Sequence, residues 1–423
     1  MTPGLTSRYR AMSVAFACEN TRHDTAGTLM TLSLTARDSV RALRSSKIRE
    51  VANVGMGRKD VLPFWFGEPD EVTPEFIRRA GIAALEAGDT FYTQNLGIPP
   101  LREALAAYVS RLHRPTSTDQ IVVTNSGMSA LMIVTQALAG PGDRVVIVTP
   151  VWPNLVEIPK IMGAQAVTVA LDFSSAGWTL DLGRLLDALT PETKLLIINS
   201  PGNPTGWTLD RASQQAILDH CRRNGTWILA DDAYERLYFD GGEGEAAPSF
   251  LDIAEATDRV VSANTFSKSW LMTGWRLGWI TAPVELVTGL GTLIEYNTCC
   301  APGFVQRAGI VAVEKGEPVV AHTVERIRRA RDFIIPRLNA IEGIEAASPP
   351  GAMYAFFRVA GLKDSLDLCK RLVTDAGIGL APGAAFGPEG EGFIRWCFAT
   401  EIALLEQGLE RFGRGLKAIR AAG

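Results

Sequence analysis

Residues 264–279 read NTFSKSWLMTGWRLGW, and this stretch contains a lysine and an arginine eight residues apart. Lys268 lies in a short polar turn that follows the apolar run RVVSAN. An exposed lysine has a pKa of about 10.4, whereas burial and a nearby cation lower that value and let the amine form Schiff bases with carbonyls. Arg276 carries a planar guanidinium that is suited to a phosphate. Together the two residues indicate an aldehyde cofactor that carries a phosphate.

A lysine and an arginine at the surface of a loop would be the simpler interpretation of the Ser-Lys pair alone. The complete run, however, resembles the lysine signature of class I and II aminotransferases, which are fold-type-I pyridoxal-phosphate enzymes. That signature is S-K-x-[apolar]-x-M-T-G-W-R-[apolar]-G, and each of its elements is present. The resemblance implies that Lys268 holds pyridoxal 5'-phosphate as an internal aldimine and that Arg276 binds the cofactor phosphate. Seven motifs occur in family order between about residues 60 and 400.

The composition is that of an ordinary globular protein. The 423 residues are 47% hydrophobic and 21% charged, and the net charge of −4 gives no basic surface for nucleic acid. Six cysteines show no CxxC spacing, which predicts reduced thiols and a cytoplasmic protein without a zinc site. The uncharged stretch 120–142 contains too many polar residues for a membrane span.

Short apolar runs alternate with helical patterns through the middle of the chain. Runs rich in β-branched residues without polar alternation are typical of strands buried on both faces. Strands that alternate with helices predict an α/β fold with a mostly parallel, doubly wound sheet. The predicted strands lie at 120–124, 144–150, 165–171, 194–201, 226–232, 259–265 and 275–281.

The pattern changes after residue 315, where a long charged helix leads into an alternating strand and a closing helix. This change predicts a second, smaller α+β domain. We expect residues 36–73 and 316–423 to form the small domain and residues 74–315 to form the large, cofactor-binding domain. Residues 1–35 are expected to be a disordered extension. The first 29 of them lack the apolar core of a secretory signal. An organelle transit peptide is the alternative for this extension.

Ligands of open parallel sheets bind at the carboxyl ends of the strands, and unusual residues lie at those ends here. The segment NSGMSAL opens a helix at Gly127, and a helix N-terminus with free N–H groups suits a phosphate. An ordinary helix cap would be the simpler interpretation of this segment alone. The resemblance implies that Ser126, Gly127 and Met128 surround the cofactor phosphate and that Thr265 contributes its hydroxyl.

Four further candidates follow other strands. Trp152, in VWPN, matches the family position that stacks on the pyridine ring, although a core tryptophan explains it equally well without the resemblance. Asn203, in SPGNPTG, and Tyr234, in DDAYERL, match the residues that bond the cofactor's 3'-oxygen. Asp231 matches the aspartate that keeps the pyridine nitrogen protonated, and a buried acid needs such a partner. Its neighbour Asp232 is expected to be exposed.

Three candidates lie outside the predicted large sheet. Gly67, in FWFGEPD, matches a glycine whose backbone contacts the substrate. Tyr92, in YTQNLG, matches a tyrosine that reaches the cofactor phosphate of a second subunit, which implies a homodimer with shared active sites. Arg395, in GFIRWCFAT, matches the arginine that holds the substrate α-carboxylate, for which a bidentate guanidinium is well suited. A structural salt bridge is the alternative for Arg395.

These matches predict an aminotransferase that moves an amino group from an L-amino acid to a 2-oxo acid. Another reaction of the same cofactor, such as β-elimination or decarboxylation, stays open because it would use the same lysine and aspartate. A regulator with an aminotransferase-like sensor domain is a more distant alternative. Such regulators carry an N-terminal winged helix, for which the residues before the first motif show no basic recognition helix.

The sequence also bears on the choice of amino donor. Aspartate-type enzymes need a second cation for the distal carboxylate, and no Lys or Arg occurs between Arg276 and Arg307. The lysine that serves some bacterial enzymes is replaced here by Met128. We therefore expect a preference for neutral or aromatic amino acids, unless Arg58 or Lys59 supplies the missing charge.

Overall fold

The computed structural model describes residues 36–242 and 244–421, and its centre is a seven-stranded sheet, called the large sheet below. Its strands are ordered from one edge to the other as Ile121–Thr124, Gly278–Thr281, Val260–Thr265, Trp227–Asp231, Thr193–Asn199, Arg144–Thr149 and Gln165–Ala170. The strand Gly278–Thr281 is antiparallel to both neighbours, and the remaining pairings are parallel. The predicted α/β class and mostly parallel sheet are therefore confirmed.

Both faces of the large sheet are covered. Neighbouring residues of one strand, such as Val146 and Ile147, belong to different apolar clusters, because successive side chains of a strand point to opposite faces. This explains why these strands are apolar throughout. Helices in the described part of this region are Glu75–Glu86, Pro99–Leu112, Gly127–Leu138, Asn154–Ile161, Leu182–Ala188, Arg211–Asn224, Val284–Glu295 and Gly303–Lys315.

A second, four-stranded sheet, called the small sheet below, lies near the end of the chain. Its strands are ordered Ile344–Glu345, Tyr354–Val359, Phe393–Cys397 and Ala381–Pro382, and all pairings are antiparallel. The surrounding helices are Lys47–Gly55, Glu317–Asn339, Ser365–Ala376 and Ile402–Ala421. Residues of the segment 48–65 share an apolar core with this sheet, and Leu62–Pro63 pairs with Ile378–Gly379.

The N-terminal segment therefore packs with the C-terminal part of the chain. The division of the chain into a large and a small domain stays a prediction. The predicted disordered extension, residues 1–35, lies outside the described residues. The described residues also form a short helix, Asp38–Arg41, and a hairpin of Asp172–Ser174 with Gly177–Thr179. The predicted strand 275–281 is shorter in the structure, because Trp275 ends a 3-10 turn and Arg276 has a positive φ of 55°.

Helices that could cross a membrane are not found among the residues that the structure describes. The helix Gly127–Leu138, inside the long uncharged stretch, has 12 residues, and a span needs about 20.

Candidate active site

At the carboxyl ends of the large-sheet strands, the N-terminus of a helix lies close to several hydroxyl groups. The helix Gly127–Leu138 is capped by Ser126, whose Oγ accepts a hydrogen bond from Ser129 N at 3.1 Å. A Cβ at Gly127 would lie 3.0 Å from Cβ of Thr265, so the helix end and the end of the strand Val260–Thr265 are in contact. Thr265 Oγ1 donates to Ser267 Oγ at 2.9 Å.

Backbone strain marks the same place. Ser126 has a φ of 118°, and Arg276 has a φ of 55°, both in a region that side chains other than glycine rarely adopt. Such strain persists only where the surrounding structure enforces it, and it is common at ligand sites. Arg276 is exposed, and its Nη1 donates to Thr273 O at 2.7 Å. Its guanidinium is close enough to Lys268 to help lower the pKa of that amine.

Lys268 lies between the two sheets. Its Nζ donates to Gly67 O at 2.6 Å and lies 5.6 Å from the centre of the Tyr234 ring. Burial of the amine is the main cause that lowers its pKa to about 8, and the positive charges of Arg395 and Arg276 act in the same direction. The Lys268 amine therefore loses its proton more readily than the amine of an exposed lysine.

Asp231 is a buried carboxylate with few partners. Only 5% of the residue is exposed, and its Oδ1 accepts one backbone hydrogen bond, from Ala233 N at 3.3 Å. Burial raises its pKa to about 7, while the charge of Lys268 opposes that rise. Asn199, its register partner on the next strand, donates Nδ2 to Asp231 O at 2.9 Å and so holds the end of the strand.

The expectation that Asp232 is exposed is wrong. The residue is 4% exposed, and its Oδ2 accepts hydrogen bonds from Ser262 Oγ at 2.6 Å and Ser249 Oγ at 3.3 Å. Burial, followed by the nearby charge of Glu235, raises its pKa to about 7. Both serines are distant along the chain, so the residue pattern around Asp232 gives no sign of them. His113 contacts Glu235 and Asp252 beside this carboxyl group. Burial lowers the pKa of His113, but its hydrogen bonds to the two acidic residues outweigh that effect and raise the pKa to about 10.

Arg395 is a buried cation. It is 2% exposed, its Nη1 donates to Asn203 Oδ1 at 3.0 Å, and its Nη2 donates to Trp65 O. Ion pairs found in the described residues do not include Arg395, so the salt-bridge interpretation lacks support. Its Nε has no hydrogen-bond partner within the described chain. A buried guanidinium with carbonyl partners alone is suited to accept a carboxylate from a ligand.

Tyr234 and Tyr354 meet at the centre of the site. Their hydroxyl oxygens are 2.6 Å apart, and their rings are arranged edge to face with centroids 5.7 Å apart. Burial raises the pKa of the Tyr234 hydroxyl well above its usual value, and Tyr354 adds to that rise. Sequence reasoning assigned no role to Tyr354 or to Asn199. A polar residue at the end of an apolar strand was the available signal for Asn199.

Two predicted residues lie at the margin of this cluster. Trp152 is half-buried and packs against the apolar core on one face of the large sheet. Two residues later, Asn154 Nδ2 donates to Met128 Sδ at 3.2 Å, which places the Trp152 segment beside the start of the helix Gly127–Leu138. Tyr92 is different, because 88% of it is exposed and no hydrogen bond to the other candidates is found in the described residues.

A large groove opens beside Arg276. Its volume is about 1220 Å³, and its walls are mostly apolar. Its lining includes Arg58, Arg78, Ile82 and Leu85.

The Aminotransferase class I and II family model matches residues 59–412, which is most of the chain. The chain belongs to this aminotransferase family. An aspartate aminotransferase of Thermotoga maritima is 34% identical over 355 residues, covering 84% of this chain and 90% of that protein. A Thermus thermophilus aspartate aminotransferase mutant has a TM-score of 0.83 and 31% identity, covering 90% of this chain and 99% of that one.

A third similar protein has a different name. The aromatic aminotransferase of Pyrococcus horikoshii has a TM-score of 0.80 and 29% identity, covering 88% of this chain and 99% of that one. The predicted family is thus confirmed, and the chain is an aminotransferase, a transferase of amino groups between amino acids and oxo acids. The residues alone left β-elimination, decarboxylation and a sensor role open. The names of these relatives give none of these three activities.

Proposed function

We propose that this aminotransferase uses pyridoxal 5'-phosphate, held covalently by Lys268. The observation that carries the proposal is the convergence of three buried groups. These are a lysine with a lowered pKa, a carboxylate with one backbone hydrogen bond, and a guanidinium that forms no ion pair with the described residues. Each of these groups is costly in a ligand-free interior, and each fits one part of that cofactor or its amino-acid substrate.

The residues fit the cofactor part by part. The start of the helix at Gly127, with Ser126 and Met128, offers backbone N–H groups to the phosphate, and Thr265 and Arg276 add a hydroxyl and a positive charge. In its bound state the cofactor supplies an aldehyde for the amino group and a ring that accepts electrons from the substrate Cα.

The remaining residues orient the ring and handle the proton. The Asp231 carboxylate would face the ring nitrogen and keep it protonated, Asn203 and Tyr234 would bond the ring oxygen, and Trp152 would stack on the ring. Nζ of Lys268 is the group that can accept the Cα proton of the amino acid, since a pKa of about 8 matches that task near neutral pH.

Substrate carboxylates would bind to Arg395. Its Nη1 already has a carbonyl partner on Asn203, and its Nε faces the interior without one in the described structure. Gly67, whose carbonyl oxygen accepts from Lys268, lies where its backbone would contact the same substrate. Binding of the α-carboxylate at Arg395 would thereby hold the adjacent Cα within reach of the lysine amine.

Lys268→Ala tests this assignment directly. The variant is expected to lose the covalent, borohydride-reducible cofactor adduct and its associated absorbance, and to lose turnover by several orders of magnitude. Lys363→Ala, at an exposed lysine, is the matched control and should retain both. Normal turnover of Lys268→Ala, with an adduct mapped by mass spectrometry to another lysine, would show that the assignment is wrong.

Neutral or aromatic amino acids are the proposed donors. Arg58 lines the groove, but its guanidinium donates to Asp60 at 2.6 and 3.2 Å. Arg78 donates to Thr73 O at 2.8 Å. Glu295, near the place where one subgroup carries an arginine, accepts from Asn95 at 3.2 Å and adds no positive charge.

A panel of donors checks this preference. We expect kcat/KM for methionine or phenylalanine to exceed that for aspartate, because Arg58 and Arg78 in the groove already donate to protein oxygens. The relatives named as aspartate aminotransferases favour the opposite result. A kcat/KM for aspartate about tenfold or more above alanine, methionine and phenylalanine would contradict the proposal.

The working form is proposed to be a homodimer in a reducing, cytoplasmic compartment. Phe91, Tyr92 and Tyr296 are 83%, 88% and 84% exposed, which is unusual for large aromatic side chains unless a partner covers them. The five described cysteines are free thiols, consistent with a reducing environment.

A further inference from the structure

Tyr354 occupies the junction of the two sheets. It begins the strand Tyr354–Val359 of the small sheet and is 1% exposed. A Cβ at Gly67 would overlap the Tyr354 hydroxyl, so the segment that accepts the Lys268 hydrogen bond passes directly against this side chain. Tyr354 is therefore placed between the lysine segment and the small sheet, although none of the motifs described above contains it.

The ring of Tyr354 contacts Arg395. In the antiparallel pairing of the small sheet, Phe356 is opposite Arg395 and Tyr354 is opposite Cys397, so Tyr354 and Arg395 are diagonal neighbours. Cζ of Arg395 lies 4.6 Å from the centre of the Tyr354 ring, and 5.0 Å from that of Phe386. A guanidinium over an aromatic face is attracted by the ring, and more strongly when water is excluded.

Among the described residues, the hydroxyl of Tyr354 has one hydrogen-bond partner, the hydroxyl of Tyr234. The two oxygens are 2.6 Å apart, and no other hydrogen bond of either hydroxyl is found in the described part of the chain. A phenol has one proton to donate and can accept hydrogen bonds from others. If Tyr234 donates its proton to a ligand, its hydrogen bond with Tyr354 requires Tyr354 to be the donor.

We propose that Tyr354 is a positioning residue of the active site. Its hydroxyl donates to Tyr234 and thereby directs the Tyr234 proton toward the cofactor ring oxygen. Its ring holds the Arg395 guanidinium in place. This inference rests on the proposed function. A chain of two hydroxyl donors polarises its members, so Tyr234 becomes a stronger donor than it would be alone. A stronger donor stabilises the ionised ring oxygen and lowers the pH at which the bound cofactor titrates.

Absorbance titration of the bound cofactor tests the hydroxyl. Tyr354→Phe, which keeps the ring, is expected to raise the titration midpoint by about half a unit to one unit, because one link of the hydrogen-bonded chain is lost. Tyr238→Phe removes a half-buried phenol that lies near Asp240 and Glu245 and makes no hydrogen bond to the described site residues. It is the matched control, with no expected shift.

A double-mutant cycle separates this role from a general structural one. Because Tyr354 acts through Tyr234, the double variant Tyr234→Phe/Tyr354→Phe should titrate at the same midpoint as Tyr234→Phe alone. A Tyr354→Phe midpoint equal to that of wild type, or a full shift that persists in the Tyr234→Phe background, would overturn the hydroxyl role. Wild-type protein that shows no titrating cofactor absorbance would instead contradict the proposed function.

Tyr354→Leu tests the ring. Loss of the aromatic ring in Tyr354→Leu should weaken binding of a non-reacting carboxylate inhibitor about tenfold relative to Tyr354→Phe. The change in cofactor absorbance on binding measures the two affinities. The hydroxyl is absent from both variants, so the difference between them reports the contact with Arg395. Equal inhibitor affinities of the Leu and Phe variants would overturn the ring's role.

Discussion

The burial of Asp231 suits the proposed ligand but lowers the stability of the ligand-free protein. The carboxyl group is buried with one backbone hydrogen bond, and burial raises its pKa to about 7. An unfolded aspartate has a pKa of about 3.9, so between these values the folded protein binds more protons than the unfolded one. The contribution of Asp231 to stability therefore falls as pH rises from about 4 to about 7.

Asp231→Asn should accordingly stabilise the cofactor-free protein at pH 8 while lowering turnover of the loaded enzyme by on the order of a thousandfold or more. The gain in unfolding free energy is at most about 4 kcal/mol at pH 8 and small near pH 4, since one pKa unit corresponds to about 1.4 kcal/mol. Urea unfolding at the two pH values measures the gain, with the exposed Asp187→Asn as control. Near-normal turnover of the Asp231→Asn variant saturated with cofactor would exclude the proposed role of this carboxylate.

Site residues differ in how visible they are along the chain. Lys268 and Arg276 could be predicted because they stand in a contiguous motif whose spacing is local. The expected exposure of Asp232 is wrong because residues distant in the chain cover it. Its hydrogen-bond partners Ser249 and Ser262 are 17 and 30 residues away, respectively. An acidic residue at a strand end looks the same in sequence whether distant hydroxyls cover it or water does.

At the scale of elements, the start of the helix Gly127–Leu138 rests on the antiparallel strand Gly278–Thr281. A Cβ at Gly278 would lie 2.5 Å from Gly127 N, 2.5 Å from Ser126 C and 2.7 Å from Asn264 O. All three atoms belong to backbone, which cannot rotate away as a flexible side chain would. Glycine at this strand position thus permits the helix N-terminus to approach the sheet.

Gly278→Ala is expected to displace the helix start and to weaken cofactor binding about tenfold or more, because the backbone N–H groups proposed for the phosphate would move. Gly289→Ala is the matched control, since a Cβ there would meet nothing within 4 Å and alanine favours a helix. Dissociation constants from cofactor titration of the stripped proteins give the comparison. Equal affinities for the two variants would show that this packing does not position the phosphate site.

At the scale of the whole molecule, the proposed homodimer would cover the apolar groove and the exposed aromatic side chains. Ile82 and Leu85, on the groove wall, are 43% and 46% exposed. Sedimentation equilibrium should give twice the chain mass of 45.7 kDa at assay concentration. Leu85→Arg should shift the protein toward monomer and lower activity, because Tyr92 of one copy is proposed to act in the other.

Val284→Arg, at an apolar residue that is 48% exposed and does not line the groove, controls for the added charge. It should sediment as the wild type does. A wild-type protein that is fully active as a monomer would contradict the shared-site proposal.

The sequence by itself determined the α/β class, the approximate bounds of the strands and the family, because periodicity and contiguous motifs are local properties of the chain. Only the tertiary structure decided that Asp232 is buried, that Gly278 supports the helix at Gly127, and that Tyr354 joins Tyr234 and Arg395. The hydroxyls of Tyr234 and Tyr354 are 120 residues apart in the chain and 2.6 Å apart in space. Their contact depends on how two separately formed sheets pack, and no local pattern of residues specifies that arrangement.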